Sequence, residues 1–251
     1  MSRLGWCLGL LLVGGIAALH GESGVSVASA RSFTLPPATP VRIRLDVGTL
    51  TVTGSARPDV AVRIVRHAPD ADAVRTLEEH VAVTTDGLEV TVVPRGRTHD
   101  ATLTATVVVE LPSAQPVADL QLFEGPLRLA GLNGPVRATV TRGSIEASSL
   151  GGSVWLETVM GDISVHHGSR PLDAPLRLRT FNGDINLSLP SLLPNARILA
   201  LALNGTVTST LPLTTRTIVG PRFSEATFGS GTPVVNLEVV NGHIRITGPT
   251  P

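Results

Sequence analysis

Along most of this chain apolar residues alternate with polar ones, at the two-residue period that turns one face of a strand inward and the other outward. Between Phe33 and Val65, the residues Val41, Ile43 and Leu45 fall on one side. Leu50 and Val52 follow, with Gly48 and Gly54 interrupting as turns. Val81 to Val93 and Ala101 to Leu111 read as two further strands, joined by a polar loop from Pro94 to Asp100. One segment leaves the period. After Pro69-Asp70-Ala71-Asp72, the stretch Ala73 to His80 predicts a short helix near 72–80, capped by Asp72 and kept amphipathic by Glu78 and Glu79.

Past Pro116 the alternation becomes a repeat. Gly125, Gly134, Gly143, Gly152 and Gly161 follow one another at intervals of nine residues. Each opens a unit of Gly, any residue, an aliphatic, any residue, then an aliphatic or Ala, as in Gly125-Pro126-Leu127-Arg128-Leu129 and Gly143-Ser144-Ile145-Glu146-Ala147. Later copies begin at Gly183, Gly205 and Gly242. A short strand cannot bury its apolar face alone, so such units must stack, and glycine allows the tight bend between them. Two units per coil predict equivalent positions every 18 residues, with Arg128 beside Glu146 and Arg137 beside Trp155, all four outward. The steps of 22 from Gly161 to Gly183 to Gly205 read as coils with insertions, the first at Gly168-Ser169-Arg170-Pro171. The step of 37 to Gly242 contains a polar excursion, Pro221 to Pro233. A sandwich of short strands is the alternative arrangement.

The fold class expected is therefore all-β: a β-solenoid-like stack of short Gly-initiated strands, preceded by an N-terminal β-region with one short helix. Its organisation reads as a signal peptide over 1–30, a strand region over 31–116 and the repeat solenoid over 117–248, with 31–248 one continuous domain. The signal is expected from Arg3, the uncharged apolar run Leu4 to Leu19, and the small residues Ala28-Ser29-Ala30, which mark cleavage after Ala30. An uncleaved membrane anchor is the alternative, although the run is short of the about 20 residues a spanning helix needs. The only cysteine, Cys7, lies inside the run, preceded by Trp6 where a lipoprotein signal needs a small residue.

Charge narrows the partners. Twenty basic residues, all Arg, balance twenty acidic ones, and residues 1–30 hold one of each sign, Arg3 and Glu22. Neutrality removes the attraction that dominates nucleic-acid binding and polybasic membrane attachment, so no nucleic acid is expected, and a membrane only if the N-terminal segment stays. Five Phe, two Trp and no Tyr leave few rings for stacking on nucleic-acid bases.

Candidate chemistry is thin. Asp162 and Asp184 are the only carboxylates directly after a repeat glycine, whereas calcium takes six or more oxygen ligands; turn amides are the simpler partners for both. His166-His167 points its rings to opposite faces of a strand. His99-Asp100 lies in a polar loop. Gly229-Ser230-Gly231 lacks the spacing of a nucleophile elbow, and no phosphate-binding or dinucleotide fingerprint occurs. No catalytic, cofactor or metal residue is therefore assigned. Trp155 is expected to point outward from between Val154 and Leu156, and with Arg137 it forms the candidate binding surface.

The repeats resemble the bacterial putative-adhesin family, domain of unknown function 4097, over nearly all of residues 33–247. The matching residues are Asn182-Gly183-Asp184-Ile185, Asn204-Gly205-Thr206-Val207 and Asn241-Gly242-His243-Ile244. Leu45-Asp46-Val47-Gly48 with Leu50-Thr51-Val52-Thr53-Gly54, then Glu110-Leu111-Pro112, then Phe228-Gly229-Ser230-Gly231 match as well. The resemblance implies a β-solenoid-like fold in an extracytoplasmic setting and no catalytic residues. Asp follows the glycine in only two copies, a departure from that pattern. The function expected is a non-catalytic extracytoplasmic repeat protein, adhesin-like or an envelope interaction module. It would meet an envelope protein or surface glycan in the periplasm, the envelope or outside the cell. The alternative is a carbohydrate-active enzyme on a β-helix scaffold, which needs paired carboxylates about 5–10 Å apart.

Overall fold

A computed structural model describes residues 18–21, 24–97, 100–169, 171–190, 193–217 and 221–248. Most of the apolar run Leu4 to Leu19, with Cys7 and Trp6, lies outside the described residues, as do His99 and Arg170. The chain opens with β1 (Ala18–Gly21), β2 (Gly24–Phe33), β3 (Val41–Ser55) and β4 (Val60–Ala68). A single turn and a half of helix, α1 (Ala71–Thr76), precedes β5 (Leu77–Thr84), β6 (Gly87–Pro94) and β7 (Thr104–Pro112). From there strands of two lengths alternate. β8 (Val117–Glu124), β10 (Val136–Arg142), β12 (Val154–Met160) and β14 (Leu176–Asn182) are the longer ones. β9 (Leu127–Ala130), β11 (Ile145–Ser148), β13 (Ile163–His166) and β15 (Ile185–Ser188) are the shorter. Last come β16 (Ala196–Asn204), β17 (Val207–Ser209), β18 (Thr214–Thr217), β19 (Arg222–Phe228), β20 (Val234–Asn241) and β21 (Ile244–Thr247).

The longer strands pair in parallel to make sheet B and the shorter ones to make sheet A, so each coil contributes one strand to each. Strand β3 bends from one sheet into the other. Its first half, from Val41, pairs with β6 and β8, and its second half, from Gly48, pairs with β7 and β9. The register advances by 18 residues where no loop intervenes, as in Val136 against Val154 and Ile145 against Ile163. Inward side chains line up in ladders: Ile43, Leu120, Leu156, Leu178 and Leu237 in sheet B, and Leu50, Leu127, Ile145, Ile163, Ile185 and Ile244 in sheet A, all buried. Strands this apolar on one face need a second sheet opposite to cover them.

The glycines explain the corner between the sheets. Gly48, Gly125, Gly143, Gly161, Gly183, Gly242 and Gly205 stack there, whereas Gly134 and Gly152 stack at the opposite corner. At Gly143 the backbone has φ of 145°, and a Cβ would stand 1.9 Å from the carbonyl oxygen of Gly125. Only glycine fits a position that is both left-handed and pressed against the coil before it.

Three expectations need correction. The helix is shorter and earlier than 72–80, because Asp70 rather than Asp72 caps it, accepting from the amides of Asp72 and Ala73. Residues 77–80 are strand instead. Leu77 and Glu79 point between the sheets, where Glu79 meets Arg31 at 3.3 Å and Arg66 at 3.6 Å. Val81 to Val93 is not one strand but part of the hairpin of β5 and β6, turning at Thr85-Asp86. The order of coils also differs from the order of the chain. β20 lies between β14 and β16, and β21 between β15 and β17, so the Gly242 unit is inserted between the Gly183 and Gly205 units.

Antiparallel strands close both ends of the parallel stack. At the start β5 pairs with β6, and β4 lies between β2 and β7. At the finish β19 pairs with β16 and β18 with β19, while Leu211, buried, packs into the core beneath the last coil. Such caps blunt the open edges at which a solenoid would otherwise add further strands.

Candidate contact surface

The two outer faces of the solenoid differ in character. In sheet A the outward residues run Thr51, Arg128, Glu146, Ser164, Asn186 and Arg245 across successive strands, all polar. Arg128 Nε and Glu146 Oε2 are 3.1 Å apart and both exposed, the pair that an 18-residue coil demands. In sheet B the outward residues near the ends of the strands are apolar, except Thr141 of β10. Val159 and Phe181 are 42 % and 48 % exposed, and Met160 beside them 52 %. Alternation places Phe123, Val240 and Leu203 in the same row. Aliphatic and aromatic side chains at outward positions are the exception in strands that otherwise alternate cleanly.

At the other end of the same strands stands Trp155. In register it lies between Arg137 of β10 and Arg177 of β14. The two guanidinium carbons are 4.1 Å and 4.8 Å from the ring centroid, one from each flanking strand, so the indole makes two cation–π contacts. The rim of the sheet beside it is built from prolines. Pro116, Pro135 and Pro175 each precede a strand, where their missing N–H costs nothing and their carbonyls accept from Val41, Val117 and Val154 of neighbouring coils at 2.9 Å. Prolines, Trp155 and the half-exposed Val234 enclose a groove of about 480 Å³. Its lining holds two cations, Arg137 and Arg177, and no carboxylate. Arg177 Nη2 lies 4.0 Å from Glu238, while among the described residues Arg137 has no ion-pair partner.

Trp155 is thus outward and partly exposed, and Arg137 is beside it. Arg177, Val159, Met160 and Phe181 are the members that sequence reasoning missed. The signal for Arg177 exists in the alternation Leu176-Arg177-Leu178-Arg179, but the four-residue insertion ahead of β14 hides its register with Trp155.

The repeat carboxylates are engaged in the corner. Asp162 Oδ1 accepts the amide of Asp184 at 2.8 Å, and Asp184 Oδ1 accepts the amide of His243 at 2.8 Å. His243 Nδ1 in turn accepts the amide of Thr206 at 3.2 Å. Asp162, Asp184 and His243, each following a corner glycine, therefore hold the backbone of the next coil in the stack. The preceding asparagines do likewise with one another: Asn204 donates to Asn241 and Asn241 to Asn182, both at 2.8 Å. Asp162 and Asp184 come from adjacent coils, but their positions are those of coil staples rather than of an acid and a base flanking a cleft. His166 is exposed and His167 buried, facing opposite ways. Among the described residues no group of three or more His, Cys, Asp and Glu is placed to hold a metal ion, and no helix is long and apolar enough to cross a membrane.

No family model matches the chain, and no curated protein matches it. Solved structures do align with it over most of its length. A putative cell adhesion protein from Clostridium sporogenes ATCC 15579 is 11 % identical, with 88 % of this chain and 99 % of that chain covered and a TM-score of 0.49. A putative adhesin from Bacteroides fragilis NCTC 9343 is 13 % identical, with 88 % and 96 % covered and a TM-score of 0.46. A putative lipid binding protein from Parabacteroides distasonis ATCC 8503 is 9 % identical, with 88 % and 96 % covered and a TM-score of 0.24.

Proposed function

We propose that this protein is an exported, non-catalytic contact module of the adhesin-like kind, and that it meets its partner through the outer face of sheet B. The observation that carries the reading is the contrast between the two outer faces. The outward row through the coils of sheet A is polar, whereas sheet B carries exposed Val159, Met160 and Phe181 at one end of its strands and a proline-rimmed groove with two arginines around Trp155 at the other. A partner suited to that face has apolar surface with anionic groups at one margin, since apolar burial supplies affinity and charge complementarity supplies register. Two guanidinium groups crowd the indole, which leaves less of Trp155 for a flat sugar ring to stack on. That favours an envelope protein over a glycan. The Asn-Gly strand repeats support membership of the putative-adhesin family as part of the same reading.

Site-specific photocrosslinking in cells exporting the full chain tests this. A photoreactive residue at Val159 should give discrete adducts, and one at Ser164 on the outer face of sheet A should give none. Equal crosslinking from both faces, or none from Val159, would contradict the assignment.

A further inference from the structure

We infer that the export signal is cut away upstream of Gly24, so that β2 stays whole in the mature protein, and that the bond after Ala30 is not the one hydrolysed. Strand β2 is a working part of the fold. It pairs with β4 over nine residues, Val25 against Ala68 through Phe33 against Val60, and Val25 to Ala30 make six of those nine pairs. Val25 and Val27 pack against the core between the sheets.

The inward polar residues of β2 close the open end of the solenoid. Ser29 Oγ donates to Glu79 Oε1 at 2.7 Å, and Arg31 Nη2 stands 3.3 Å from the same oxygen. Arg66 of β4 approaches the other oxygen at 3.6 Å, and the Glu79 side chain is only 6 % exposed. A buried carboxylate is tolerated only with such partners around it. Arg31 also donates to the carbonyl of Val81, tying β2 in sheet A to β5 in sheet B.

A cut after Ala30 would remove Ser29 from Glu79 and strip β2 from the outer edge of β4 between Arg63 and Ala68. That would leave a long unpaired edge at which other chains could add. Signal removal precedes folding, so the pairing of β2 does not shield the bond; what matters is that the remaining chain would lack its cap. A cut between Leu19 and Gly24 keeps the cap and leaves a leader within the about 15–30 residues usual for such signals. The strand lost with it, β1, pairs only with β2 among the described residues. The step is plain hydrolysis by a signal-cleaving protease. Water adds across one amide bond, leaving a carboxylate on the leader and an α-amine on the mature chain.

The test is to export the full chain from a bacterial host and read the N-terminus of the product by sequencing and intact mass. Ala30→Gln serves as companion, since Ala30 is exposed on β2 and a long side chain there would block a cut behind it. The expected result is a mature N-terminus no later than Gly24 in both proteins, with the processed fraction unchanged by the substitution. A product beginning at Arg31, an unprocessed Ala30→Gln protein, or retention of Met1 would each overturn the inference.

Discussion

At single positions the solenoid is held by groups that each reach an adjacent coil. Thr158 and Thr180 show how a polar residue enters an otherwise aliphatic ladder. Both are buried at inward positions of sheet B, and their hydroxyls donate to the corner carbonyls of Gly143 and Gly161 at 3.2 Å and 2.9 Å. Thr180→Val keeps the shape and removes the donor, so it should cost about 1–3 kcal/mol, measured as a shift of the denaturant midpoint at constant slope. Gly143→Ala should cost more, about 3 kcal/mol or above, because its Cβ would collide with the neighbouring coil at a left-handed φ. An unchanged midpoint in either variant would refute the corner geometry. The glycine column was legible from its nine-residue spacing, and the Arg128–Glu146 neighbourhood followed from doubling that spacing. The hydroxyl and carboxylate staples were not, because their partners are backbone amides and carbonyls of another coil, which no side-chain pattern records.

Among elements, the instructive departure is the return of the chain at its end. By sequence alone the Gly242 unit follows the Gly205 unit, and nothing in its residues marks it as an insert. The structure places β20 and β21 inside the stack because the hairpin of β18 and β19 turns the chain back and caps the far side of β16. Hydrogen exchange should therefore find the amides of β20 and β21, near the chain terminus, protected as well as those of β12. Those of β17, a three-residue edge strand, should exchange much sooner. Fraying of β20 and β21 ahead of β17 would reject the inserted order. Residues 77–80 misled for a related reason. Leu77-Glu78-Glu79-His80 has helical amphipathicity beside a good cap, yet Glu79 is claimed by Arg31 and Arg66 from strands far away in sequence. Tertiary pairing outweighed local propensity there.

For the molecule as a whole, alternation was enough to give two sheets with an aliphatic interior. The face proposed for contact was only half legible. Trp155 stood out as a lone indole at an outward position, but the difference between the faces of sheets A and B needs the register of every coil, including those displaced by insertions. Within that face, truncating the indole side chain should weaken partner binding without unfolding the protein. Trp155→Ala should reduce affinity by about tenfold or more if the groove is the centre of the interface, with the melting temperature changing little. The most direct measurement of the central claim is hydroxyl-radical footprinting of the protein, free and bound to an envelope preparation from the cells that make it. Trp155, Met160 and Phe181 are reactive side chains on sheet B, and His166 is an exposed reactive one on sheet A. The account predicts that binding lowers oxidation of the first three and leaves His166 as it was. Protection of His166 with Trp155, Met160 and Phe181 unchanged would contradict it.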